Sequence, residues 1–343
     1  MFDINKLVRD NVKTLIPYSC ARDEFQGKEG IFMDANENPY GRLNRYPDPY
    51  QKELKASISR FKAVSEENIF LGNGSDEIID LCFRIFCKPG FDKALTFSPS
   101  YGMYEVSAAI NDIRLIKVPL NSDFHIEIKD VIPWLTDPDI KLFFICSPNN
   151  PTGNSMKSFD IGYIITHFNG IVVIDEAYID FSETQSFKHM INSYPNLIVM
   201  HTFSKALGLA AVRVGMAFTN PALVQYFNKM KPPYNISTIN QKAALRKLAQ
   251  IEKFNEQVRI IKNERKRLVA NLENLTIIEN IFPSDANFLL VKTKNADLIY
   301  NKLVEEKIIV RNRSRIVPGC IRITVGTRSE NNKLIGTLKR IVI

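Results

Sequence analysis

Six short apolar runs recur between residues 94 and 218, at 94–97, 113–118, 142–146, 171–174, 197–200 and 216–218, and helical stretches alternate with them. A strand that is apolar at nearly every position must be covered on both faces of its sheet. The pattern therefore predicts an α/β fold with a largely parallel sheet packed between helices. In an open sheet of this kind, ligands bind outside the carboxyl ends of the strands. The residues that follow each run are thus the first candidates for chemistry.

Three of those continuations are polar. The run 142–146 leads into Asn149-Asn150-Pro151-Thr152-Gly153, and 171–174 into Asp175-Glu176-Ala177-Tyr178. The run 197–200 leads into Ser204-Lys205-Ala206-Leu207-Gly208, with Arg213 eight residues beyond the lysine. A lysine amine attacks carbonyls when its surroundings lower its pKa, and the small neighbours Ala206 and Gly208 leave room for a bulky guest. By itself a serine–lysine pair is more often solvated surface. An amide, a carboxylate, a phenol and an amine delivered to one sheet edge are, however, the inventory that pyridoxal 5'-phosphate needs. Asp175 would keep the ring nitrogen protonated, Asn150 and Tyr178 would donate to the phenolate oxygen, and Lys205 would capture the aldehyde.

A phosphate site is also legible. Gly72-Asn73-Gly74-Ser75-Asp76-Glu77 opens a strongly apolar helix that runs through Phe86. Unpaired N–H groups in a first helical turn point at an anion, and the helix dipole favours it. The competing reading is a simple cap by Ser75 or Asp76. With Lys205 in view, Gly74, Ser75 and Asp76 are assigned to the cofactor phosphate. Tyr101, in Ser98-Pro99-Ser100-Tyr101-Gly102-Met103-Tyr104, follows the run 94–97 and would arrive at the same crevice, where an aromatic ring can stack on a pyridine. A core tyrosine packed under the sheet is the alternative there, and the choice between Tyr101 and Tyr104 rests on the family resemblance given below.

The order N-P-T-G, D-E-A-Y, then S-K with its following arginine resembles the fold type I pyridoxal-phosphate aminotransferases, and among them the histidinol-phosphate aminotransferases. The likeness runs along the whole chain. It includes Asp34-Ala35-Asn36-Glu37-Asn38-Pro39-Tyr40-Gly41, Arg45-Tyr46-Pro47-Asp48-Pro49, Pro233-Tyr234-Asn235 and Arg322-Ile323-Thr324-Val325-Gly326-Thr327. The resemblance implies that Ser204 and Arg213 join the phosphate anchors. It also implies that Arg311 and Arg322 lie over the cofactor, where they would take the phosphate of L-histidinol phosphate or the far carboxylate of glutamate. Salt bridges to nearby acids are the competing reading of those arginines. Tyr18 and Asn36 are further substrate candidates, although Asn36 also sits in turn chemistry. Tyr46 is expected to reach across a homodimer interface to the neighbour's cofactor phosphate, so that active sites are shared. The implied reaction passes the amino group to 2-oxoglutarate, giving imidazole acetol phosphate and glutamate in L-histidine biosynthesis. An aromatic amino-acid aminotransferase and threonine-phosphate decarboxylase share much of this signature. A non-catalytic regulator on a degenerate aminotransferase fold would have lost Lys205, Asp175 or Asn150, and all are present.

Composition sets the outer bounds. The 343 residues are 45% hydrophobic and 24% charged, ordinary for a protein with one large and one smaller domain. The net charge of +8 comes from basic residues interleaved with acidic ones, as in Lys262-Asn263-Glu264-Arg265-Lys266-Arg267, which argues against nucleic acid and suits anionic small molecules. Five cysteines without a C-x-x-C pair, and histidines without ligand spacing, predict neither disulfides nor a metal site and fit a cytoplasmic protein. No run approaches a membrane span or a signal peptide. The expected organisation is an N-terminal arm at 1–40 joining the small domain, a large cofactor-binding domain at 41–235, and a small α+β domain at 236–343. The first forty residues should hold a short amphipathic helix and a strand at 31–33. The segment 238–272 should be helical, with strands at 288–292, 308–311 and 321–325 and helices at 296–306 and 329–341 in the small domain.

Overall fold

The computed structural model describes residues 4–19 and 30–341. A short helix α1 (Asp10–Thr14) and α2 (Lys52–Lys62) precede β1 (Ile69–Gly72), α3 (Ser75–Phe86), β2 (Lys93–Ser98), α4 (Met103–Ile110) and β3 (Arg114–Pro119). Then come α5 (Ile128–Val131), β4 (Ile140–Cys146), α6 (Ser158–His167), β5 (Ile171–Asp175), β6 (Leu197–Thr202), β7 (Gly215–Thr219) and α7 (Pro221–Met230). These seven strands form one sheet in the order β1-β7-β6-β5-β4-β2-β3. The strands β6, β5, β4, β2 and β3 run parallel, whereas β7 is antiparallel to both of its neighbours.

The two-sided burial expected of the apolar runs is found. Every residue of β5, β6 and β7 is buried. Alternate residues go to opposite faces, as the pleat requires: Phe143, Ile145, Val172, Ile174 and Val199 join one core, while Leu142, Phe144, Val173, Ile198 and Met200 join the other. Pairing of Cys146 with Asp175 and of Asp175 with Met200 brings the carboxyl ends of β4, β5 and β6 to a common edge.

The rest of the chain forms α8 (Thr238–Leu248), α9 (Ile251–Leu272), β8 (Ile278–Ile281), β9 (Phe288–Thr293), α10 (Ala296–Glu305), β10 (Arg311–Asn312), β11 (Cys320–Thr324) and α11 (Arg328–Leu338). Its four strands make an antiparallel sheet, β10-β11-β9-β8, backed by apolar residues of α9, α10 and α11. The two parts meet where the Asp285 N–H donates to the Gly153 carbonyl at 2.7 Å, and the Ser155 N–H to the Asp285 carboxylate at 3.2 Å.

Several expectations change. The segment 238–272 is two helices, broken at Ala249 and Gln250, and β10 is shorter and later than the run 308–311 implied. The strand β8 is new; its half-exposed residues carry too few apolar side chains to stand out in sequence. Among the described residues, 31–33 form no strand, and Ile31 and Met33 are exposed. The start of the arm does not join the small sheet. Val8 and Val12, one helical turn apart, are buried against the layer of α3 and α7, and the Arg9 N–H donates to the Ile85 carbonyl at 3.0 Å. Cys20 lies outside the described residues, and the other four cysteines are buried free thiols.

One close approach positions the site. A Cβ on Gly215, in β7, would stand 2.5 Å from the Gly74 carbonyl carbon and 2.6 Å from the Ser75 nitrogen, both backbone atoms that cannot swing aside. Gly215→Ala is therefore expected to push β7 away from the start of α3 and to destabilise the fold by about 1–3 kcal/mol. Equilibrium denaturation checks this, and an unchanged midpoint would show that the two backbones separate freely.

Candidate active site

The shared strand edge opens into a cavity of about 400 Å³ lined by Ser75, Asp76, Tyr101, Asn150, Asp175, Tyr178, Ser204, Lys205, Arg213, Arg311 and Arg322. The sequence-predicted residues of the large sheet thus converge, together with both predicted arginines of the small one. Cys146, Ala177, Thr202, Ala210 and Arg313 complete the wall.

At one end Gly74 caps α3 with φ 77° and no side-chain capping bond, so the alternative of a cap by Ser75 or Asp76 does not hold. The N–H groups of the first turn are left for another acceptor. A Cβ at Gly74 would lie 2.5 Å from Arg213 Nη2, so glycine serves both the left-handed backbone and the room for the guanidinium. Arg213 itself takes φ 53°, a conformation costing a non-glycine residue about 1–2 kcal/mol. From there Nη2 reaches the Asp76 carboxylate at 3.2 Å, and Nη1 reaches Ser204 Oγ at 3.4 Å. A helix N-terminus, a serine hydroxyl and an arginine fork are a donor set suited to a phosphate.

Asp175, the last residue of β5, is 3% exposed. Its Oδ1 accepts the Ala177 N–H at 3.1 Å and its Oδ2 the Tyr104 hydroxyl at 2.9 Å. Burial raises its pKa to about 6, opposed by those two hydrogen bonds and by the Lys205 charge. Lys205 has surface open to the cavity, yet protein crowds it on enough sides for desolvation to lower its pKa, with Arg322 pushing the same way and Asp175 opposing. A lowered lysine pKa is what a nucleophilic amine requires. Its Nζ lies 5.5 Å from the centre of the Tyr178 ring. The Tyr178 hydroxyl accepts from Asn150 Nδ2 at 3.4 Å, and burial raises its pKa.

The small sheet supplies the cations. Arg311 and Arg322 are direct partners across β10 and β11. Like charges facing each other across a sheet repel. Arg322 donates to the Asn150 side-chain oxygen and lies over the Phe288 ring, 5.1 Å from its centre, and no acid pairs with either arginine among the described residues. The salt-bridge reading of these arginines finds no support there. Arg313 adds a third guanidinium, and its buried Nε has no hydrogen-bond partner.

Tyr46, Asn36 and Tyr18 do not line this cavity. They come together in a separate hollow with Asp34, Pro233 and Tyr234, where the Tyr46 ring, 50% exposed, stacks on Tyr234 at 4.4 Å between centres. Asn36 adopts φ 53°, which asparagine tolerates, so its turn-forming role accounts for its place. Among the described residues, no helix is long and apolar enough to cross a membrane, and no group of three or more His, Cys, Asp or Glu side chains could hold a metal ion.

Against known proteins, the class I and II aminotransferase family matches residues 28–338. A histidinol-phosphate aminotransferase from Cytophaga hutchinsonii is 49% identical over 98% of this chain and 99% of its own length. The chain belongs to this aminotransferase family. Among solved structures, the histidinol-phosphate aminotransferase from Clostridium acetobutylicum aligns with TM-score 0.79 and 27% identity, covering 87% of this chain and 90% of its own. That from Sinorhizobium meliloti, solved in complex with pyridoxal-5'-phosphate, aligns with TM-score 0.78 at 24% identity over 89% and 88% of the two chains, a likeness of fold.

Of the two tyrosines that the sequence offered for the crevice, Tyr104 is the wholly buried one, and its hold on Asp175 was not foreseen. Two further features of this family member escaped the sequence. Arg313 stands two residues after Arg311, the spacing of a shared strand face. Glu176 and His201 form a buried pair at 2.8 Å, with Ser186 Oγ and the Phe187 N–H also donating to Glu176. Burial raises the carboxyl of Glu176 and lowers the imidazole of His201. Only tertiary packing brings their strands side by side.

Because the folded pKa of Asp175 stands above its ordinary 3.8, the unfolded chain gives up its proton first as pH rises. Stability is therefore lost between roughly pH 4 and 6 and the penalty is constant above that range. Relative to wild type, cofactor-free Asp175→Asn should gain on the order of 2–3 kcal/mol in unfolding free energy from pH 4 to pH 7. Denaturant titrations at several pH values test this, and parallel pH profiles for the two proteins would contradict it.

Proposed function

We propose that this enzyme transfers the amino group of L-histidinol phosphate to 2-oxoglutarate, using pyridoxal phosphate held in the cavity at Lys205. The reading is carried by one observation: a pKa-lowered lysine, a buried carboxylate and a phosphate-type donor set line a single cavity in a chain 49% identical to a histidinol-phosphate aminotransferase. When bound, the cofactor supplies an aldehyde that takes up the amine and a pyridine ring that withdraws charge from the substrate Cα.

The chain's own residues do the rest. The first-turn N–H groups of Ser75 and Asp76, Ser204 Oγ and Arg213 hold the cofactor phosphate. Asp175 keeps a proton on the ring nitrogen, Asn150 and Tyr178 donate to the ring oxygen, and Tyr101 covers the ring. The Lys205 amine would hold the cofactor through its aldehyde and would serve as the base that takes up and gives back the substrate Cα proton. Arg311 and Arg322 take the substrate's distant anion, a phosphate in one half-reaction and a carboxylate in the other, and the lack of an acid partner for either among the described residues supports that use. Tyr46, held away from its own cavity, serves the neighbouring subunit of a homodimer.

Half-reactions test the substrate. Histidinol phosphate should convert the bound cofactor to its amine form far faster than phenylalanine does, and threonine phosphate should release no carbon dioxide. Equal rates with phenylalanine, or decarboxylation, would favour the two related activities. Lys205→Ala should fold, bind the cofactor loosely and lose at least about 100-fold in turnover; borohydride fixing the cofactor to a different lysine would end the assignment.

Subunit exchange tests Tyr46. In a mixed dimer of Lys205→Ala and Tyr46→Phe chains, one shared site carries both defects and the other neither. Activity should therefore rise above that of either parent, and no recovery despite demonstrated exchange would count against a shared site.

A further inference from the structure

We infer that Tyr104 is a positioning residue that acts through Asp175: its hydroxyl fixes the orientation in which that carboxylate meets the cofactor ring nitrogen. The inference rests on the reading of Asp175 as the partner of that nitrogen. Three observations carry it. The Tyr104 hydroxyl, on a side chain with no exposed surface, donates to Asp175 Oδ2 at 2.9 Å. The Tyr104 ring cannot swing, because it stacks on Phe144 at 4.9 Å between centres and meets the Tyr101 ring edge-on at 5.6 Å. The other carboxylate oxygen is tied to the Ala177 N–H at 3.1 Å, so both oxygens of Asp175 are oriented from behind while the residue still lines the cavity.

A carboxylate oxygen has two acceptor directions, so each retains one for a donor on the cavity side. Without the phenol the group would keep a single backbone anchor and could rotate about χ2, a soft torsion for aspartate. The same clamp extends to the phosphate end. The Tyr101 hydroxyl, on the ring that abuts Tyr104, donates to Asp76 at 3.2 Å, and Asp76 pairs with Arg213. Both ends of the cofactor site are thus referred to one pair of touching rings, Tyr101 just before α4 and Tyr104 in its first turn.

A merely structural tyrosine would be indifferent to the atom that Asp175 faces, and that difference is measurable. Full-length protein is stripped of cofactor and titrated with pyridoxal phosphate and with its carbocyclic analogue, in which C–H replaces the ring nitrogen. Wild type, Tyr104→Phe, Asp175→Asn and the double variant are compared, with melting temperatures recorded alongside. Tyr104→Phe should weaken pyridoxal phosphate by roughly tenfold, the scale of one hydrogen bond to a charged group. It should leave the analogue unchanged within about twofold and add nothing in the Asp175→Asn background. Turnover of histidinol phosphate should fall while its KM holds. Equal weakening of both ligands, or additive effects with Asp175→Asn, would overturn the inference. If Asp175→Asn itself fails to distinguish the two ligands, the reading of Asp175 falls first and this inference with it.

Discussion

A carboxylate buried at the end of a wholly buried strand is the constraint on which this site depends. Removing the Asp175 charge from water is costly unless hydrogen bonds and an opposite charge compensate it. Here the compensation comes from the Tyr104 hydroxyl, the Ala177 N–H and the neighbouring Lys205, and still leaves the carboxyl pKa at about 6. A protonated pyridine nitrogen is the partner that would complete the set. The strand order makes that arrangement possible, since β5 lies between β4 and β6 and so has Asn150 on one side and Lys205 on the other.

The phosphate end obeys a different requirement, close backbone approach. Gly72 pairs with Gly215 across β1 and β7, and Gly74 leaves Arg213 room to lie over the start of α3. Side chains at these glycines would collide with the backbone and first turn at the start of α3 or with the Arg213 guanidinium. The small sheet adds guanidiniums that no acid pairs with among the described residues, a state favoured where solvent or an anionic ligand reaches them. Cavity charge and substrate charge are therefore complementary.

Much of this was legible in sequence because it depends on local order. Apolar runs announce strands buried on both faces, the glycine turn announces a helix start, and Asn150, Asp175, Tyr178 and Lys205 stand at or just past the ends of their strands. The features that escaped depend on pairing. Tyr104 matters because its strand neighbour Phe144 and the tip of β5 lie beside it. The Glu176–His201 pair exists because β5 and β6 are adjacent, and Arg313 counts because the chain just past β10 lines the cavity. The segment 31–33 looked like a strand from its apolar residues, but among the described residues it is not part of either sheet.

By itself the sequence determined the fold class, the family and the chemical inventory, because hydrophobic periodicity and the residues at strand ends are properties of neighbours along the chain. The tertiary structure alone decided which groups share a cavity. It separated Tyr101 in the wall from Tyr104 beneath it, left Gly74 rather than Ser75 or Asp76 as the cap of α3, and kept Tyr46 outside its own chain's site. It also moved the start of the arm onto the large sheet's helices, where Val8 and Val12 are buried. Those outcomes turn on distances of a few ångströms between residues far apart in the chain, and close packing of a specific core, not local pattern, sets such distances.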